Sequence, residues 1–280
     1  MKIGFIGQGW IGKNYADDFE NRGYEVIRYA LEEPYRVNKD KIKECDVVFI
    51  AVPTPTTPDG FDDSYLLDTI PLVGDGMIAV IKSTLTPGTT EKIQNQFSDK
   101  IILHSPEFLV EKTAAYNAAN PDRNIIGIPV DNDLYQEKAA IVMKLLPDAP
   151  YNKIMSSKDA EVVKYASNCF LYTKVVYVNL IYDIVRATDG TWEDVRGALA
   201  GEPRIGESHT QPIHSSGRGA GGHCFIKDFE VFRRMYLELV GDEHGSTLVD
   251  ALRDKNLDLL KNSKKDQGLV KDVYGEDFSA

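Results

Sequence analysis

The residues with the most chemical potential stand together in Gly219-Ala220-Gly221-Gly222-His223-Cys224-Phe225-Ile226-Lys227-Asp228. A thiol follows a run of glycines, with an ammonium three residues on and a carboxylate four residues on. Glycine lets the backbone approach a ligand closely and take positive φ. A thiol beside cationic groups is a better nucleophile, because its thiolate is stabilised. A glycine-rich turn around a buried structural cysteine is the plainer reading, and this segment alone favours it. A second group lies upstream, where Glu161, Lys164 and Asn168 fall at i, i+3 and i+7, one face of a helix. A lysine in those apolar surroundings is costly to bury unless it meets a charge partner or a ligand. A solvated stripe accounts for Glu161 but less well for Lys164 and Asn168, which stand among Val163, Tyr165 and Cys169.

The elements that must position these groups begin at the N-terminus. Lys2–Ile6 reads as a strand, Gly7-Gln8-Gly9-Trp10-Ile11-Gly12 follows at once, a helix runs through roughly Lys13–Asn21, and Tyr24–Tyr29 is the next strand. In that setting the first glycine makes the turn, the second admits a pyrophosphate and the third lets helix and strand pack closely. The helix N-terminus then offers N–H groups to the phosphates. The acid that usually ends the second strand and binds a ribose is replaced by Ala30, with Glu32 and Glu33 just beyond. No basic residue stands at the strand end itself, though Arg28 and Arg36 are near, so NAD is favoured over NADP.

Asp46–Val52 reads as a buried parallel strand from its continuous apolar character and ends in Pro53-Thr54-Pro55-Thr56. Met77–Lys82 ends in a loop containing Thr84, and Ile101–Leu103 leads into His104-Ser105-Pro106-Glu107-Phe108-Leu109-Val110-Glu111. Asn124–Ile128 is a further strand. The expected architecture is α/β: a Rossmann-type parallel sheet domain over 1–152, then an all-helical central domain over 153–262. One long helix over 158–188 joins them, the last helix covers about 247–261, and a polar tail over 263–280 is expected to be mobile.

Composition bounds the function. Lys and Arg total 32 against 43 Asp and Glu, a net charge of −11, which argues against a general nucleic-acid surface. No apolar run is long enough for a membrane span, and the chain opens on a strand without a signal peptide. The three scattered cysteines, Cys45, Cys169 and Cys224, fit a reducing cytoplasm, and no His/Cys cluster has zinc spacing.

Taken in order, GQGWIG, AVPTPTTPDG, KSTLTPGTT, SPEFLVEKTA with PDRNIIG, AEVVKYASNCFLYTK, EPRIG and GAGGHCFIKD resemble the UDP-glucose/GDP-mannose dehydrogenase family over nearly all of the chain to about residue 262. The resemblance implies oxidation of the C6 alcohol of a nucleotide sugar to a carboxylate, with two NAD reduced per sugar. A cysteine can hold the aldehyde between the two steps as a thiohemiacetal, which becomes a thioester for hydrolysis. Cys224 matches the nucleophile; Lys164 and Asn168 match the groups that stabilise the oxyanion. Asp228 matches the acid that orders a water with Lys164, Glu107 the carboxylate used in water activation, and Thr84 a hydroxyl near the nicotinamide. Glu111, one helical turn beyond Glu107, matches a residue near the cofactor, as do Pro53 and Thr54. Glu107, Phe108 and Leu109 match the segment that holds the sugar, and Arg204 an arginine supplied to a neighbouring subunit's site. His209, Thr210 and Gln211 lie where the family binds the sugar nucleotide, while Gly221 and Gly222 allow close backbone approach. His223 has a context shared between relatives acting on N-acetylhexosamine nucleotides and those acting on UDP-glucose. The family's central helix implies a homodimer.

Besides Ala30, the chain departs from the pattern in three places. Family members continue through a third α/β domain that binds the nucleotide, and none is expected here. The stretch between Tyr29 and Lys43 is short. The run Ile213–Gly217 lengthens the loop before the cysteine. Two alternatives follow: a two-electron dehydrogenase of a smaller sugar or hydroxy acid, or a non-catalytic NAD-binding module derived from the family.

Overall fold

The computed structural model describes residues 1–215 and 217–276; Ser216 of the lengthened loop and residues 277–280 of the expected tail lie outside the described residues. The chain divides into two compact units, Met1–Thr54 with Asp62–Lys164, and Pro55–Phe61 with the chain from Tyr165 onward.

The first unit carries seven strands: β1 (Lys2–Ile6), β2 (Glu25–Tyr29), β3 (Val47–Ile50), β4 (Ile78–Ile81), β5 (Ile101–His104), β6 (Arg123–Ile128) and β7 (Tyr151–Ser156). They form one sheet in the order β2-β1-β3-β4-β5-β6-β7. Its helices are α1 (Trp10–Asn21), α2 (Ser64–Thr69), α3 (Thr89–Gln96), α4 (Ala114–Ala119) and α5 (Asp133–Leu145). Strands β2 through β5 are parallel, as expected for an α/β fold, whereas β6 runs antiparallel to β5 and β7 follows β6. All four residues of β3 are buried, which is why Val-Val-Phe-Ile reads as a strand covered on both faces. Phe5, Phe19 and Phe49 meet at 5.0–5.3 Å between ring centroids and anchor the core. The chain leaves β1 to one side for β2 and returns to the other for β3. That reversal is the switch point at which open α/β sheets bind ligands beyond the strands' carboxyl ends.

Helix α6 (Ser157–Ala187) begins in the first unit and continues into the second; its 31 residues span about 45 Å. The second unit also contains α7 (Trp192–Ala200), α8 (Gly222–Leu239), α9 (Glu243–Asn262) and α10 (Gln267–Tyr274). It is not wholly helical, because Ile213–His214 pairs with Gly217–Arg218 and Thr56–Thr57 with Gly60–Phe61. Tyr172 stacks on Phe229 at 3.8 Å in its core. Helix α9 starts earlier than expected because Asp242 caps it, accepting from the Gly245 amide at 2.8 Å. Part of the segment expected as a mobile tail, Gln267–Tyr274, forms α10. Val270 and Val273 of α10 pack with Ile226 and Leu260, an apolar pair hidden among charges in the sequence. Among the described residues, no helix is long and apolar enough to cross a membrane.

Candidate active site

The carboxyl edge of β1, β3, β4 and β5 gathers four of the singled-out segments. Gly7 adopts φ 87°, and a Cβ there would lie 2.2 Å from the Ala51 carbonyl oxygen. At Gly12 a Cβ would come within 1.9 Å of the Gly7 oxygen, so helix and strand could not approach as they do. Gly9 faces open space, and no side chain caps the N–H groups of α1 that follow it through Trp10 and Ile11. Gln8 donates to the Gly7 carbonyl at 3.1 Å, while its buried Oε1 has no hydrogen-bond partner among the described residues. Uncapped helix N–H groups beside an open glycine and an unmet polar atom fit a dinucleotide pyrophosphate. The next two loops are tied together: the Thr54 hydroxyl donates to the Thr84 carbonyl at 2.9 Å, and the Ser83 hydroxyl donates to the Val52 carbonyl at 2.6 Å. This fixes the Pro53–Thr54 turn against Thr84. Ala30 is buried, and Glu32 and Glu33 beyond it are exposed. Arg28 is held by Asp17 and Glu20, each at 2.7 Å, so it is already committed to carboxylates rather than to a 2′-phosphate.

Lys164 and Glu107 meet. The ammonium donates to the Glu107 backbone oxygen at 2.8 Å and to its Oε1 at 2.9 Å, and both residues are about 4% exposed. Glu107 Oε2 accepts from the Leu109 amide at 2.8 Å, which closes a turn and orients the carboxylate. Pro106 favours an extended backbone at Ser105, and Ser105–Val110 is not helical. The expected helical turn from Glu107 to Glu111 is therefore absent; Glu111 is exposed and opens a short 3-10 turn. Phe108 lies under the Arg123 guanidinium, 3.7 Å from the ring centroid. Both line a cleft of about 300 Å³ together with Tyr15, Leu109, Asn117 and Asp122.

Two buried groups beside this pair went unremarked in the sequence. Lys82 donates to the Ser105 hydroxyl at 3.1 Å and stands 4.3 Å from the Tyr15 ring centroid. Burial lowers its pKa to about 7, against the opposing pull of Glu107. His104 is fully buried; its Nδ1 faces the Ile81 carbonyl at 3.0 Å and so carries the proton. Burial brings its pKa down to about 3. A lysine ending an apolar strand in Lys82-Ser83-Thr84 was the available signal.

Glu161 is a correction. It is not a solvated group but fully buried, accepting from the Gly88 amide at 2.6 Å, the Thr90 amide at 2.8 Å and the Thr90 hydroxyl at 2.5 Å. It caps the N-terminus of α3 across 71 residues of sequence. Burial raises its pKa, and those hydrogen bonds oppose the rise.

In the second unit, Asn168 Nδ2 donates to Asp228 Oδ2 at 2.6 Å, and Lys227 pairs with the other oxygen of the same buried carboxylate. Asn168 stands four residues beyond Lys164 on α6. Cys224 is the third residue of α8 and half-buried, one turn before Asp228. No cysteine is in a disulfide, and burial raises the thiols of Cys45, to about 11, and Cys169. Gly222 has φ 80° and faces open space. Gly221 is small for a different reason from the one expected. A Cβ there would lie 2.0 Å from Asp266 Oδ2, so its close neighbour is the chain's own carboxylate. Thr210 is buried and donates to the Glu207 carbonyl at 2.7 Å, while the His209 ring lies 5.6 Å from that of Phe225. Gln211 and His223 are exposed. Arg204 is exposed and forks onto Glu202, Nε at 2.8 Å and Nη2 at 3.0 Å.

A dinucleotide-binding sheet followed by a helical unit with a cysteine at a helix start defines a class of two-part dehydrogenases. The comparisons give the family. Residues 29–144 match the NAD binding domain of the UDP-glucose/GDP-mannose dehydrogenase family, and residues 158–257 match its central domain. The chain belongs to this family, and NAD is the cofactor that its first domain implies. It is 35% identical over 211 residues to YtcA of Bacillus subtilis, which carries a UDP-glucose 6-dehydrogenase name; the match covers 70% of this chain and 47% of YtcA. The chain thus spans about half the length of that relative. A UDP-glucose dehydrogenase from Pyrobaculum islandicum superposes with a TM-score of 0.77 at 25% identity, over 93% of this chain and 70% of that one. A 3-hydroxyisobutyrate dehydrogenase from Mycobacterium tuberculosis shares the fold alone, with a TM-score of 0.70 at 15% identity over 100% of this chain and 97% of that one.

Proposed function

We propose that the chain oxidises the C6 alcohol of a nucleotide sugar to the carboxylate, with Cys224 as the covalent nucleophile. The observation that carries this reading is the arrangement along α6. Lys164 and Asn168, a turn apart, are each bonded to a carboxylate from a family motif, Glu107 and Asp228. Gly7–Gly12, Pro53, Thr54 and Thr84 would hold NAD, which would supply the hydride acceptor for both oxidations. The Cys224 sulfur adds to the C6 aldehyde to give a thiohemiacetal, and the second oxidation leaves a thioester. Lys164 and Asn168 stabilise the oxyanion at C6 by charge and by an amide N–H. Glu107 and Asp228 take and hold the proton of the water that hydrolyses the thioester. Phe108, Leu109 and Gly222 bound the sugar, and Arg204 serves the site of a second copy.

Exposed Phe170, Tyr177, Leu180 and Ile184 form a stripe along α6 and support a homodimer. The scattered cysteines support a reducing, cytoplasmic setting. A second reading, a two-electron dehydrogenase of a smaller hydroxy acid, draws on the full-length fold likeness to the hydroxyisobutyrate enzyme. NADH yield per molecule of substrate separates the two: two with dependence on Cys224 for the first, one without it for the second.

A further inference from the structure

The cysteine loop is held from the C-terminal side of the chain. Asn256 accepts from the Ala220 amide at 2.7 Å and donates to its carbonyl at 3.0 Å. Ser263 accepts from the Arg218 amide at 3.0 Å, and Lys265 donates to the Gly219 carbonyl at 2.9 Å. The last link is different in kind, because Asp266 Oδ2 accepts from the Gly222 amide at 2.7 Å. Gly222 is the first residue of α8 and Cys224 the third. A carboxylate therefore sits at the same helix end as the thiol.

We infer that Asp266 is a positioning residue that sets the acidity of Cys224. The N-terminus of a helix favours an anion, and a cysteine there ordinarily ionises more readily. Asp266 already occupies that position with a full negative charge and repels a second anion in the same turn. The cations of this region are bonded elsewhere, Lys227 to Asp228 and Lys265 to the Gly219 carbonyl. Asp228, one turn along α8, the adjacent imidazole of His223, and His209, whose ring lies 5.6 Å from that of Phe225, are further titratable groups near this turn. The net effect of Asp266 is to hold Cys224 as a thiol in the resting protein, which limits its alkylation and oxidation. Its meaning for turnover rests on Cys224 being the nucleophile, but the acidity of the thiol does not.

The test is the pH profile of iodoacetamide alkylation at Cys224, followed on its peptide by mass spectrometry in wild type, Asp266→Asn and Asp266→Ser. Both variants keep a neutral acceptor for the Gly222 amide, and Asn favours the positive φ, 54°, that Asp266 adopts. The buried thiols of Cys45 and Cys169 are pushed up and stay silent near neutral pH. The midpoint should fall by about half to one pH unit in the variants, which is roughly three- to tenfold faster alkylation below it. An unchanged or raised midpoint in a folded variant overturns the inference. A lowered midpoint in a chain that oxidises no nucleotide sugar upholds it while removing the proposed function.

Discussion

Removing Lys164 alone leaves the Glu107 carboxylate buried without its cation, whereas removing both charges leaves neither group stranded. Breaking one half of a buried pair typically costs about 3–5 kcal/mol. Lys164→Met should show a loss of that order in denaturant unfolding, and Glu107→Gln with Lys164→Met should recover most of it. Turnover should stay lost in both, because the oxyanion has lost its charge. His104 gives a second test at this scale. Its folded pKa near 3 lies below the ordinary histidine value of 6.5, so between these values the unfolded chain binds the extra proton. Its contribution to stability is fully present above pH 6.5 and is lost as pH falls toward 3, at up to about 1.4 kcal/mol per unit. His104→Gln should flatten the acid limb of the stability profile by that slope.

The N-terminus of α3 depends on Glu161, a residue of α6 that supplies acceptors for the Gly88 and Thr90 amides. Glu161→Ala strands both donors, so urea unfolding should show a loss of about 1–3 kcal/mol, with NAD affinity little changed. What was legible in the sequence follows from the range of the interactions. The fingerprint glycines were readable because φ and close approach at Gly7 and Gly12 are local demands. Lys164 was readable because a cation among apolar residues on a helix needs a partner, although the resemblance set it with Asp228 and the partner it meets, Glu107, lies 57 residues away. Glu161 was not readable, since its partners are main-chain groups that any sequence carries. Asp266 and α10 were hidden for another reason: a charged segment looks mobile until Val270 and Val273 find an apolar partner. The reversal of β6 and β7 left no mark, because the residue pattern of a strand reads alike in either direction.

For the whole molecule, four large apolar side chains on one face of α6 stay in water in a single copy. Burial of such a stripe against a second copy removes each from solvent at about 25 cal/mol per Å². Phe170→Asp with Ile184→Asp should turn the proposed dimer into monomers in sedimentation velocity, without loss of helix content.

The central claim concerns a four-electron oxidation through Cys224, and it is tested most directly by the amount of NADH formed when a limiting nucleotide sugar is consumed. Two NADH per sugar, with none in Cys224→Ala under turnover conditions, is the predicted result. One NADH per substrate, undiminished by loss of the thiol, would contradict it.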